Sequence, residues 1–406
     1  MKVTARAAAA LLFGILAVIL EPGLARADDL PPPIVYVLTV APGGALFSLY
    51  GHAALCVETV GQPEATCYDY GVADAHTEEE LVWGTLRGKK LFVPVAVKQS
   101  VMMRSFQDEE RAMWKQVLPL TPDEAHTLAG RLETAVAKHE GYAYDPAHSN
   151  CTTQLRDLIE EASPGKLRAG SDVVPPGPSF RELCEQGLSG KPFELASVSM
   201  FVGGDGEKHP TAWQLMFLPS QLRETIERRF GVKPERVYEP REGITLATSP
   251  SAGRLALGLL GFVLSGALVY ASRTPKKSPS AVRWRRTLAI VGIVLGALGL
   301  VVWGVAATTI YPWMQNNFVL AVLVPFDVGL GFLSAARLRR YLEARLVVLL
   351  VVLVLALVHV IVQPLLASVV LAGLPLAAVY ATLRKKELAA RLVGRGARDQ
   401  VLLQQK

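Results

Sequence analysis

The sequence predicts an exported α+β domain followed by an all-α domain of five membrane-spanning helices. Three observations carry that reading: an export signal at the N-terminus, a change of composition near residue 255, and β-branched runs that precede helical ones in between. Of the 406 residues, 51% are hydrophobic and only 19% are charged, too apolar for a soluble protein of this length. The excess belongs in lipid.

The export signal comes first. Lys2 and Arg6 precede an apolar run at 7–20, then Pro22 and Gly23, then Ala25-Arg26-Ala27, the order of a signal peptide cut before Asp28. An uncleaved anchor is the alternative, but the apolar run is shorter than the ~20 residues a bilayer asks for. The division that follows is 1–27 signal peptide, 28–250 exported domain, 251–383 five helices and 384–406 basic tail.

Within the exported domain, residues 34–40, 53–57, 66–70 and 91–97 have the β-branched and apolar content of strands, with Gly61-Gln62-Pro63 turning the chain between the second and third. Thr121-Pro122-Asp123-Glu124 is a capping box that opens a helix to about Lys138. A second helix starts at Cys151, capped by Ser149 or Asn150, with Leu155, Leu158 and Ile159 at helical spacing. Residues 163–220, rich in Gly, Pro and Ser, predict loops. A short helix capped by Ser220 covers 222–229, and a linker runs on to Pro250.

The membrane part shows apolar runs at 254–272, 287–310, 314–335, 345–363 and 366–383. Basic residues cluster in alternate loops: Arg273, Lys276, Lys277, Arg283, Arg285 and Arg286; then Arg337, Arg339, Arg340 and Arg345; then Arg384-Lys385-Lys386. The loops at Tyr311-Pro312-Trp313 and Gln363-Pro364 carry none, and Tyr311 and Trp313 suit a membrane–water interface. Positive charge marks the cytoplasmic side, so the expectation is a multi-pass inner-membrane protein with a periplasmic N-terminal domain and a cytoplasmic tail. The net charge of +6 comes from these clusters, which favour anionic lipid headgroups; nucleic acid is not an expected partner.

Four cysteines, at 56, 67, 151 and 184, sit in an oxidising compartment. An antiparallel hairpin would place Cys56 opposite Cys67 and leave Cys151 free. The same register sets His52 opposite Gly71 and Asp69 opposite Ala54, so His52 and Asp69 share a face as diagonal neighbours. At a helix start, Cys151 meets unpaired N–H groups and the positive end of the helix dipole, which stabilise a thiolate. A thiolate that attacks an acyl carbonyl, an imidazole that moves the proton and a carboxylate that orients it describe Cys151, His52 and Asp69. The alternative is that Cys151 pairs with Cys184 and the other two are sheet and turn residues. His148 is a cap or surface residue, and Arg87, Lys89 and Lys90 form a solvated strand end. The cysteines and histidines lack zinc spacing, so neither metal nor cofactor is expected.

The strings Leu49-Tyr50-Gly51-His52-Ala53, Tyr68-Asp69-Tyr70-Gly71, Tyr142-Ala143-Tyr144, Asn150-Cys151-Thr152-Thr153-Gln154-Leu155-Arg156-Asp157 and Met216-Phe217-Leu218-Pro219 resemble the exported domain of the Lnb-type bacterial lipoprotein N-acyltransferases. The five apolar runs, with Asn316-Asn317 and Pro325, resemble that family's membrane domain. His before Cys also resembles circularly permuted papain-like enzymes of the NlpC and lecithin:retinol acyltransferase type. The resemblance implies that Cys151 takes a fatty acyl group from a membrane phospholipid as a thioester, assisted by His52, and yields it to the N-terminal amine of a lipoprotein. Asn150, Tyr70, Asp327 and Asn316 are the candidate substrate-binding residues. A papain-like envelope peptidase or amidase, or a non-enzymatic lipoprotein-binding membrane module, are the other readings.

Asp327 falls inside the third apolar run, where an ionisable residue is functional by default or else a packing pair. Asn316 and Asn317 near its periplasmic end fit helix packing. His359 and Gln363, four apart, share a helical face that faces lipid headgroups or Asp327.

Overall fold

The computed structural model describes residues 31–241, 251–273 and 279–404. The expected signal peptide and the end of the expected linker, 242–250, lie outside the described residues. The apolar, β-branched runs form β1 (Ile34–Val40), β2 (His52–Glu58) and β3 (Thr66–Ala73). Next come α1 (Glu78–Leu86), β4 (Leu91–Lys98), α2 (Gln99–Asp108), β5 (Met113–Val117), α3 (Pro122–Ala137) and β6 (Tyr142–Ala143). The domain closes with α4 (Cys151–Ala162), α5 (Phe180–Gly187), α6 (Pro192–Phe201), α7 (Ala212–Leu215), α8 (Pro219–Phe230) and β7 (Glu235–Tyr238).

One antiparallel sheet runs in the order β6-β4-β3-β2-β1-β5-β7. Alternate residues of a strand point to opposite faces, and both faces are covered. Val37, Leu55 and Tyr70 pack under Leu128 and Leu132 of α3 and Leu155 and Ile159 of α4. Tyr36, Cys56 and Cys67 pack with Met102 of α2 on the other. Cys56 lies opposite Cys67 in the β2–β3 register and the two are bridged.

Three expectations for this domain need correction. Residues 163–220 are not loops throughout: α5, α6 and α7 form there, two of them on capping boxes in which Ser179 accepts from Glu182 and Thr211 from Gln214. Such short helices rest on local caps rather than a sustained apolar period. The next helix starts at Pro219 rather than after Ser220, since proline fits the first helical position without losing a needed donor. The expected linker contains β7, which pairs with β5.

The C-terminal part contains α9 (Ala252–Ser272), α10 (Pro279–Thr308), α11 (Pro312–Gln315), α12 (Val319–Val322), a 3₁₀ stretch at Pro325–Phe332, α13 (Ala335–Leu357) and α14 (Leu366–Gln404). Among the described residues, four segments are long and apolar enough to cross a membrane: Ala252–Ser272, Val282–Thr308, Pro312–Phe332 and Leu366–Ala389. The fourth expected run, 345–363, is not among them. Its helix, α13, carries Arg340, Glu343 and Arg345, and it ends at Leu357, before His359 at φ 59°. His359 and Gln363 are therefore not on one helical face. The third run is not one continuous helix either: Pro312 and Pro325 start separate short pieces, and non-helical backbone at membrane depth is tolerated where protein covers it. The last helix continues past residue 383 to Gln404.

Main-chain bonds join the two parts. Gly203 N donates to Trp313 O at 2.8 Å, and Ile310 N to Leu86 O at 2.9 Å. Asn317 Nδ2 donates to Met200 O at 2.7 Å and Gln363 Nε2 to Val202 O at 3.2 Å.

Candidate active site

Two backbone features bring β2 and α4 together. Gly51, at φ 98°, turns the chain into β2, and a Cβ there would fall 2.5 Å from Val40 O; glycine takes this conformation without cost. His52 follows as the first residue of the strand. On the neighbouring strand a Cβ at Gly71 would sit 2.7 Å from His52 Cε1, so the imidazole lies against bare backbone.

Cys151 is the first residue of α4. Asn150 caps that helix: its Oδ1 accepts from Thr153 N at 2.9 Å, while Thr153 Oγ1 accepts from Asn150 N at 2.8 Å. The other end of the same amide donates to Pro146 O at 3.0 Å and Phe217 O at 2.9 Å. Asn150 is buried, and these bonds fix the turn that presents the thiol.

Cys151 Sγ lies 3.4 Å from His52 Nδ1. The opposite ring nitrogen, Nε2, lies 3.0 Å from Asp69 Oδ1, at ion-pair distance although outside hydrogen-bond geometry. Asp69 Oδ1 also accepts from Gly71 N at 2.6 Å. Phe106 flanks the imidazole, with ring centres 5.5 Å apart.

The charges are mutually dependent. Burial opposes charge on His52, yet Asp69 and Cys151 outweigh it and hold the imidazole well above its ordinary value. Burial likewise opposes the Cys151 thiolate, and His52 outweighs it, so the thiol is pulled below the usual range. Asp69 is also held down, with His52 overcoming burial. Such a thiolate–imidazolium pair can attack an acyl carbon and hand a proton to the leaving group.

The expected site residues divide into two groups. His52, Asp69 and Cys151 meet, with Asn150 beside them as the cap. Tyr70 instead points to the other sheet face and is buried in the core, its carbonyl accepting from Tyr142 Oη at 2.6 Å. The carbonyl of Asn316 accepts from Gly204 N at 3.4 Å, and its side chain bonds Asp205. Asp327 is fully buried elsewhere, 2.9 Å from Arg345 Nη2 and 2.6 Å from Tyr341 Oη. Cys151 and Cys184 are both free thiols.

Several residues near the site take roles that sequence reasoning did not give them. Tyr311 and Trp313, expected at a lipid interface, bond the exported domain: Tyr311 Oη donates to Tyr144 O, and Trp313 Nε1 to Asp145 Oδ2 at 3.4 Å. His148, three residues before the thiol, pairs with Asp145 at 3.1 Å and lies against Phe180. The repeated aromatics around positions 142–144 and 311–313 were the available signal.

Residues 26–186 match the family model described as the Lnb N-terminal periplasmic domain. The match spans His52, Asp69 and Cys151. Comparisons with curated proteins and with solved structures returned no match.

Proposed function

We propose, from the premise that residues 26–186 are an Lnb N-terminal periplasmic domain, that the protein is a multi-pass membrane lipoprotein N-acyltransferase with Cys151 as nucleophile. The observation that carries the reading is the Cys151–His52–Asp69 alignment, with Sγ 3.4 Å from one imidazole nitrogen and the carboxylate 3.0 Å from the other. The Cys151 thiolate attacks the ester carbonyl of a phospholipid, a C–S bond forms, and the C–O bond breaks. His52 gives its proton to the departing lysolipid oxygen. The N-terminal amine of a lipoprotein then attacks the thioester carbonyl; the C–S bond breaks, His52 takes the amine proton, and the thiolate is regenerated. Asp69 holds the imidazole so that Nδ1 faces the sulfur.

The expected topology and fold class belong to this reading. Residues 28–250 act in the periplasm, the basic loops and tail after residue 384 face the cytoplasm, and α13 completes a five-helix membrane domain, its buried Arg345 paired with Asp327. The exported fold belongs to the permuted papain-like class, and no metal or cofactor takes part.

The test is intact and peptide mass measurement of protein purified with phospholipid under conditions that preserve thioesters. An acyl mass on Cys151, lost in Cys151→Ala together with lipoprotein N-acylation, is the expected result. N-acylation that persists in the variant strain overturns the reading.

A further inference from the structure

A cavity of about 530 Å³ lies between the exported domain and the start of the Pro312–Phe332 segment. Ligand sites typically occupy roughly 300–1,000 Å³. Its walls are mostly apolar and include Phe180, Phe217, Val202 and Trp313. Cys151 is not itself a wall. The cavity's walls are linked to the reactive groups through the chain: Tyr50, two positions before His52, lines it, with its ring centre 6.3 Å from that of Phe217. Asn150, next to Cys151, bonds the carbonyls of two wall residues, Pro146 and Phe217.

We propose that this cavity receives the fatty acyl chain carried by Cys151, a proposal that rests on the acyltransferase reading. Three observations favour an alkyl occupant. The lining is largely apolar, so a chain entering it gains free energy for each buried methylene. Pro312 and Trp313, from a segment apolar enough to cross a membrane, form one wall, which brings the cavity to the side from which a lipid tail arrives. The charged wall residues are already paired, His148 with Asp145 and Lys208 with Asp205, which leaves the interior to apolar contact. The cavity then selects the chain by length, because its volume is finite.

Two substitutions move that selection in opposite directions. Ala147, a half-buried wall residue, becomes an obstruction in Ala147→Trp, and Phe180→Ala lengthens the space. Each variant is incubated with phosphatidylethanolamine of mixed chain lengths as the sole lipid, and the acyl masses on Cys151 are compared. Alkylation of Cys151 by iodoacetamide at the wild-type rate shows that fold and nucleophile are intact. In Ala147→Trp the ratio of long to short chains falls by about tenfold, as expected when two buried methylenes lose their place, and in Phe180→Ala it rises. A wild-type thioester whose chain preference is the same in both variants overturns the cavity assignment and leaves the nucleophile standing. A wild type that forms no thioester from phospholipid overturns the acyltransferase reading and this assignment with it.

Discussion

Two buried groupings of charge, one in each part of the molecule, look alike in composition and differ in how completely they are satisfied. In the membrane part, both oxygens of Asp327 are engaged: Oδ1 accepts from Tyr341 Oη at 2.6 Å and Arg345 Nε at 3.2 Å, and Oδ2 accepts from Arg345 Nη2 at 2.9 Å. Arg345 also donates to the carbonyls of Ala321 and Val322. In the exported domain the Cys151 sulfur makes long contacts at 3.4 and 3.8 Å, to His52 Nδ1 and Thr152 Oγ1, and His52 Nε2 meets Asp69 at a poor angle. A saturated group holds structure, while an unsaturated one retains capacity for a reacting partner. Asp327, the most conspicuous intramembrane charge in the sequence, belongs to the first kind.

The contrast can be broken experimentally, beginning with the largest effect. Asp327→Ala leaves Arg345 as a buried unpaired charge and costs roughly 3–5 kcal/mol, measured as loss of folded protein in detergent, whereas acylation per folded molecule stays near wild type. A large loss of per-molecule activity would place Asp327 with the reacting groups. Asp69→Asn is expected to do the reverse. Thermal stability changes little, and thioester formation slows by about a hundredfold, within the range for a disabled acid–base partner; an unaltered rate would remove Asp69 from the mechanism.

The third test compares two thiols under titration. His52 holds the Cys151 thiol down, while burial pushes Cys184 up. Since only the thiolate reacts, iodoacetamide should label Cys151 at neutral pH and Cys184 only as pH rises past the ordinary thiol range; peptide mass mapping reads both, and equal labelling at neutral pH would count against the pair. The smallest effect is expected from Asn150→Ser, which keeps a cap for α4 but drops the bonds to Pro146 and Phe217. About 1 kcal/mol of stability is lost per missing bond, read by denaturant unfolding.

The sequence made the core of the site legible because its signals were local. Cys56 and Cys67 define the β2–β3 register, and counting along it puts His52 and Asp69 side by side; the cap at Asn150 fixes where α4 begins. What could not be read depended on distant partners. Hydropathy marks 314–335 as one span, yet Asn317 caps Val319 N and bonds Met200 of the exported domain. The helices between 179 and 215 are too short for a periodic signal, and their caps, Ser179 and Thr211, resemble ordinary loop residues. Tyr70 has the composition of a site residue, but strand alternation turns it into the core while Asp69 faces His52.

The seam between the exported domain and the membrane segments is stitched partly by peptide groups: Gly203 to Trp313, Ile310 to Leu86, and Gly204 to Asn316. Peptide groups are common to nearly every residue, so exchanging most side chains along this seam leaves those stitches in place. Insertion or deletion of a single residue would shift them out of step. The joint is therefore intolerant of length, and at Gly203 of any side chain as well, because a Cβ there would fall 2.1 Å from Asn316 O.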